Sequence, residues 1–326
     1  MLTILCCTVI GTTSFWNPDR QLPDADALQE ICPGFTETAM DHERGTSVIR
    51  IAHFFVQEYL ESDRILLQEG SASFSIRKPC GNLMLASMCL TLLLDSRFRR
   101  LELREIYQQH PFAIYAARHW PNHWQKSKET DATLALCGDF SHCHPKVSHG
   151  KLILRLQDQM MLLFRDSNGA MRIWYEIVEP YWTKEFDLAK YGMRGEMEIV
   201  ASPLYYASHL GARFLVEGLC ETWRGRCNLR EPTETCIHHM KGRSGPHGTP
   251  IQAAAALGHR DVVEFFLDKR ANPNKMKNFA QRDAAYGNSL ITASAHGQTE
   301  IMELLLKRGA EINVIVGLEV QFDLEA

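Results

Sequence analysis

The chain has 326 residues, 45% hydrophobic and 23% charged, with a formal net charge of −4. That length holds two cores, and the composition excludes a chain disordered throughout. The small negative charge argues against a nucleic-acid binder driven by phosphate neutralisation, and the ten cysteines, without regular spacing, do not describe the disulfide framework of a small secreted domain. Reduced thiols in a cytoplasmic, intracellular protein follow. The opening MLTILCCTVIG has no preceding cation and is too short to span a bilayer, so it reads as a buried apolar segment at an early start, and no membrane partner is expected.

Between Asp24 and Leu60 the pattern gives a helix, a polar turn, and a strand on which Ile49, Ile51 and His53 share a face. A helix follows with Phe55, Val56, Tyr59 and Leu60 inward. His53 beside Glu58 invites a catalytic reading, but no nucleophile or metal spacing lies nearby, and a packed histidine is expected. Gly81 to Asp95 is a helix with Leu83, Ala86, Leu90, Leu93 and Leu94 on its core side. Arg97, Arg99, Arg100 and Arg104 form a basic cluster read as a solvated face. In HPFAIYAARHWPNHW, Phe112, Tyr115, Ala116, His119 and Trp120 have core spacing, and Pro121 marks the expected end of the helix.

From Gln125 to Gly195 helices and a hairpin are equally arguable: Leu152, Leu154 and Leu156 alternate, then Met160 to Phe164 and Ile173 to Val178 are apolar. Cys137, His142, Cys143, His144 and His149 raise the alternative of a small metal-dependent enzyme. Their spacing fits none of the usual zinc patterns, so no metal, cofactor or catalytic residue is assigned.

The C-terminal third repeats. In YGNSLITASAHGQTEIMELLLKRGAEIN, Leu290 and Ala293 lie on a short helix closed by Gly297, and Ile301, Met302, Leu305 and Leu306 form the apolar stripe of a second. Thr249 to Asn274 matches it position for position, Gly258 standing 39 residues before Gly297. Ser202-Pro203-Leu204 to Gly211 is an eroded earlier copy, 47 residues before Thr249 to Gly258. Hydroxyl before proline is a sound helix start. Val262, Val263, Phe266, Ile301, Leu305 and Leu306 are expected to be buried between units. Arg270 stands where the later unit has Gly309, at a position that favours positive φ, so a distorted hairpin is expected there.

These segments resemble ankyrin repeats, whose usual period is about 33 residues. VIRIAHFFVQEYLES, preceded by LQEICPGF and followed by the leucine-rich helix and YAARHWPNHW, resembles the winged-helix and helical segment that joins the NACHT ATPase to the ankyrin array in fungal STAND-type proteins. The likeness covers about residues 20 to 125 and 200 to 313. It implies an intracellular sensor, and structural rather than catalytic roles for His53, Glu58, Tyr59, His119 and Trp120. The chain departs from that family in lacking a Gly-rich loop ending in Gly-Lys-Ser/Thr, so ATP hydrolysis and a bound nucleotide are not expected.

The fold class is therefore mainly α: a winged-helix-like, helical domain over 1–125, a helical or hairpin connector over 126–198, and a short ankyrin solenoid over 199–326. The expected function is a non-enzymatic protein–protein interaction module, with a protein as partner and no nucleic acid. Compared with the usual period, roughly six surplus residues fall in the hairpin tip from Lys275 to Tyr286. Lys275, Lys277, Phe279, Gln281, Arg282 and Tyr286 are the candidate contacts, because aromatics and arginine dominate binding hot spots. Gln252, Ala255, Thr292 and Ser294 on the inner helices are the second choice.

Overall fold

The computed structural model describes residues 7–10, 13–16, 34, 36–41, 46–51, 53–67, 78–128, 149–165, 169–185, 201–227, 245, 247–274 and 287–312. The described chain is mainly helical and divides into two compact units, Met1–Glu179 and Pro180–Ala326.

The first unit begins with two antiparallel hairpins. β1 (Cys7–Ile10) pairs with β2 (Thr13–Trp16), and β3 (Thr36–Asp41) with β4 (Thr46–Ile51), Thr36 opposite Ile51. The segment before β4 was expected to be a turn. Instead it supplies a strand, because β-branched Thr36 and Thr38 suit an extended backbone and the pairing with β4 satisfies it. α1 (Phe54–Glu61) follows. Its aromatic side does not face inward: Phe54, Phe55 and Tyr59 are exposed. The rings stack on each other instead, Phe54 on Phe55 at 4.1 Å and His53 on Phe55 at 4.9 Å between centroids. His53 is an exposed cap rather than a packed histidine, its Nδ1 accepting from the Phe55 N–H at 3.3 Å.

The core gathers around α2 (Lys78–Leu93), which packs on α4 (Pro111–Ser127), on α5 (His149–Leu163) and on both strands of the first hairpin. Leu83, Ala86, Leu90 and Leu93 are buried as expected, but so are Ser87, Cys89 and Leu92, since the helix is covered on several sides. Ser87 is accommodated by Gln159 of α5: the Ser87 hydroxyl donates to Gln159 Oε1, and Gln159 Nε2 donates to Thr91 Oγ1, each at 2.8 Å. Such a connected network removes the cost of burying the amide and fixes the register of the two helices. α3 (Leu103–Gln109) leads into α4, and α6 (Ala170–Glu185) adds Trp174 to the core. The hairpin alternative for the connector thus gives way to helices, with Leu152, Leu156, Met160 and Leu163 inward at helical spacing and Leu154 exposed.

Pro121 does not end α4; it sits inside it. Proline has no N–H for the carbonyl four residues back, which is Ala117's. That oxygen accepts from the Trp174 indole at 2.9 Å instead. Trp174 also lies against Trp120 and Phe164.

Among its described residues the second unit has three antiparallel helix pairs: α7 (Pro203–His209) with α8 (Arg213–Cys227), α9 (Pro250–Ala256) with α10 (Arg260–Asp268), and α11 (Ser289–Ala295) with α12 (Thr299–Lys307). Each first helix is capped: Ser202 Oγ accepts from Tyr205 N, Thr249 forms a capping box with Gln252, and Asn288 Oδ1 accepts from Ile291 N. Each is closed by a left-handed glycine, Gly211, Gly258 or Gly297. The same bond spans each turn, Ala212 N to Ala207 O, His259 N to Ala254 O and Gln298 N to Ala293 O, at 2.9–3.0 Å.

Within the stack, Val262, Val263, Phe266, Ile301 and Leu305 are buried. Leu306 is not: it is 40% exposed, and Leu304 takes its place at 6%. The inward stripe of α12 runs i, i+3, i+4 from Ile301, which carries Leu306 past the edge of the covered face. The turn at Arg270 is not distorted. Arg270 adopts φ 62 and Gly309 φ 87, and Ala271 N to Phe266 O matches Ala310 N to Leu305 O at 2.9 Å.

Candidate protein-interaction surface

Lys275, Lys277, Phe279, Gln281, Arg282 and Tyr286, the predicted contacts of the hairpin tip, lie outside the described residues. Both ends of that loop are described, and both are tied down. At its start, Asn274 N donates to Asn272 Oδ1 at 2.9 Å. The Asn274 side chain then crosses to the next unit's turn, donating to Gly309 O at 3.0 Å and accepting from Glu311 N at 2.8 Å. At the loop's end, buried Gly287 offers its carbonyl to Gln252 Nε2 at 3.2 Å, while Gln252 Oε1 accepts from Thr249 N at 2.6 Å. Rigid elements thus hold both residues that flank the segment 275–286, Asn274 and Gly287.

The inner-helix alternatives behave differently. Gln252, Ala255 and Thr292 are each fully buried and present no surface; Ser294 alone of the four is exposed. α9 is enclosed because α7 packs on one side of it and α11 on the other.

One connection recurs between successive units and was not anticipated. His259, just after Gly258, directs Nε2 to the His209 carbonyl at 2.9 Å, crossing Gly211. Gln298, just after Gly297, directs Nε2 to the Ala256 carbonyl at 3.1 Å, crossing Gly258. A carbonyl only accepts, so His259 carries its proton on Nε2. The glycines are needed for two reasons: their φ is positive, and a Cβ on Gly211 would stand 2.4 Å from His259 Nδ1. The sequence signal was available in the matching positions of His259 and Gln298.

Between the first two pairs, Tyr205 is fully buried and its hydroxyl accepts from His247 N at 3.2 Å. Burial raises its pKa above the ordinary tyrosine value, opposed by that backbone bond. Gly245 has no room for a side chain, since a Cβ there would lie 2.2 Å from the Tyr205 ring. A row of imidazoles continues from here: His209 to His247 at 5.7 Å, and His247 to His296 at 5.2 Å between centroids. Burial drives His209 down to about 3, with smaller contributions from His247 and His259. Burial likewise drives His247 to about 4, helped by His296. His209 and His247 are therefore neutral at pH 7.

Among the described residues no group of His, Cys, Asp or Glu could hold a metal ion. Cys137, His142, Cys143 and His144 lie outside the described residues, and His149 opens α5. In the first unit a hydrogen-bonded chain runs from the Tyr115 hydroxyl to His123 Nε2 and from His123 Nδ1 to Asn82 Oδ1, each 2.8 Å, joining α4 to α2. The local basic cluster is partly neutralised, Arg97 lying 2.6 Å from Asp95 Oδ2. No helix among the described residues is long and apolar enough to cross a membrane.

The profile described as ankyrin repeats (3 copies) matches residues 228–315. The C-terminal region therefore carries ankyrin repeats, and the mainly helical fold with an ankyrin array at its C-terminus agrees with the reading of the sequence. The chain is 27% identical over 255 residues to azaphilone pigments biosynthesis cluster protein L of Monascus ruber, covering 75% of this chain and 46% of that protein. It is 32% identical over 85 residues to ankyrin repeat and SAM domain-containing protein 6 of Mus musculus, and 29% over 87 residues to that of Rattus norvegicus, in both cases 26% of this chain and 9% of the other. The chain thus spans less than half the length of these curated relatives.

Proposed function

We propose that this chain is a non-enzymatic protein–protein interaction module whose partner contacts the hairpin tip, through Lys275, Lys277, Phe279, Gln281, Arg282 and Tyr286. The observation that supports this reading is the anchoring of the two flanking residues, Asn274 on the Gly309 turn and Gly287 on Gln252. Ankyrin scaffolds are shared by many proteins and recognition resides in such variable surface segments, so the loop is the place to look for specificity.

We assign the module to an intracellular sensor of the STAND type, with the first unit as the helical linker between an ATPase and the repeats. One observation supports this. The likeness to the Monascus ruber protein extends over 255 residues, more than the whole second unit holds, so it includes part of the first.

The test is a pull-down from native lysate with wild type and the Phe279→Ala plus Arg282→Ala double variant. Loss of the main partner with melting unchanged supports the reading. Retention of every wild-type partner rules out the tip as the site.

A further inference from the structure

α1 packs on β4 and on the helical turn Asp63–Leu67 that follows it, and none of its eight residues is buried. Phe54 and Phe55 are 64% and 60% exposed. Water disfavours that much open ring surface. The rings shield only one another and His53, with centroids 4.1 Å apart for Phe54 and Phe55 and 4.9 Å apart for His53 and Phe55.

Glu58 stands four residues after Phe54 and three after Phe55, the two spacings that bring side chains together on one side of a helix. It is exposed, and among the described residues its carboxylate has no hydrogen bond or ion pair. Arg64, the next cation along the chain, lies beyond the cap at Ser62 and is not bridged to it. α1 also carries Glu61 in its last turn and no basic residue, although the carbonyl end of a helix favours cations over carboxylates. Negative charge therefore collects beside the rings, and the helix supplies no cation to balance it.

We propose that the face formed by Phe54, Phe55 and Glu58 is a docking site for an arginine-bearing segment of a partner protein. A guanidinium is planar and cationic, so it stacks on an aromatic ring while its N–H groups donate to a carboxylate, the two contacts this face offers. The phosphates of nucleic acid or of an anionic lipid surface are repelled by Glu58 and Glu61. The site lies in the first unit and does not depend on the hairpin-tip reading.

The probe is a capped Arg-Gly-Arg-Gly-Arg peptide titrated against the full chain by calorimetry, beside the same peptide with citrulline for arginine, which keeps the planar group and loses the charge. Saturable binding of the arginine peptide supports the proposal if Glu58→Gln, and Phe54→Ala plus Phe55→Ala, each weaken it by about tenfold or more. Glu303→Gln, at an exposed carboxylate of the second unit, is expected to leave it unchanged. Should the double alanine variant fail to fold, Glu58→Gln keeps every ring in place and decides alone. Absent binding, equal binding of the citrulline peptide, or a loss in Glu303→Gln as large as in Glu58→Gln overturns the proposal. So does flotation of the chain with phosphatidylcholine vesicles, or a dimer of the chain in sedimentation, that the double alanine variant abolishes, since a bilayer or a second copy would then occupy the face.

Discussion

Trp174 and Ala117 are joined by a hydrogen bond of 2.9 Å from the indole N–H to the carbonyl oxygen, and that oxygen is the one Pro121 leaves without a helical donor. Trp174→Phe keeps the ring packing and removes the donor, so it is expected to destabilise the first unit by about 1–3 kcal/mol, the cost of an unsatisfied buried carbonyl. Pro121→Ala restores a donor from within α4. In the double variant the loss on removing Trp174's N–H is expected to shrink, measured by urea denaturation as a coupling between the two sites. Equal losses in both backgrounds would refute the link.

Here the limit of the sequence is physical. Pro121 reads as a helix end because the remedy for its missing N–H sits on another helix, beyond the reach of any local pattern. The enclosure of Gln252 escapes for the same reason: it follows from α7 and α11 flanking α9. The repeats were legible because the caps Ser202, Thr249 and Asn288 and the glycines Gly211, Gly258 and Gly297 are local devices recurring at matching positions. Of the candidate site, the hairpin-tip positions lie outside the described residues, while the second-choice positions Gln252, Ala255 and Thr292 are buried and Ser294 is exposed.

The stripe of α12 gives a direct contrast. Leu305 is fully buried and Leu306 is 40% exposed. Leu305→Ala is expected to cost about 2–5 kcal/mol and Leu306→Ala less than about 1 kcal/mol by denaturant titration. Similar costs at both would contradict the orientation of the helix.

Arg270 holds a left-handed φ of 62 where Gly309 holds 87. A side chain in that region costs about 1–2 kcal/mol, while glycine loses more entropy on folding, about 0.4–1 kcal/mol. Arg270→Gly is therefore expected to be neutral to stabilising by about 1 kcal/mol, and Gly309→Arg to be destabilising. Thermal melts of the pair check the sign, and a loss of stability in Arg270→Gly would show that the Arg270 side chain contributes more than its backbone costs.

The row of histidines makes the second unit acid-sensitive. His209 and His247 lie at about 3 and about 4 in the fold, against 6.5 for an unperturbed imidazole, chiefly because burial disfavours the charged form. Between those values and 6.5 the unfolded chain binds more protons than the folded one, so stability is fully present above pH 6.5 and falls as the pH drops below it. Each histidine removes about 1.4 kcal/mol per pH unit within its window, which together makes the loss on the order of several kcal/mol by pH 5. Urea titrations at pH 7 and pH 5 are expected to show a markedly lower midpoint at pH 5. Carboxylates whose pKa the fold lowers, such as Asp95 with Arg97 donating to it, give the same trend, so the discriminating variant is His209→Gln with His247→Gln, which removes both imidazoles and is expected to flatten the difference between the two pH values. A double variant that loses as much stability between pH 7 and pH 5 as the wild type would show that the acid response arises elsewhere in the chain.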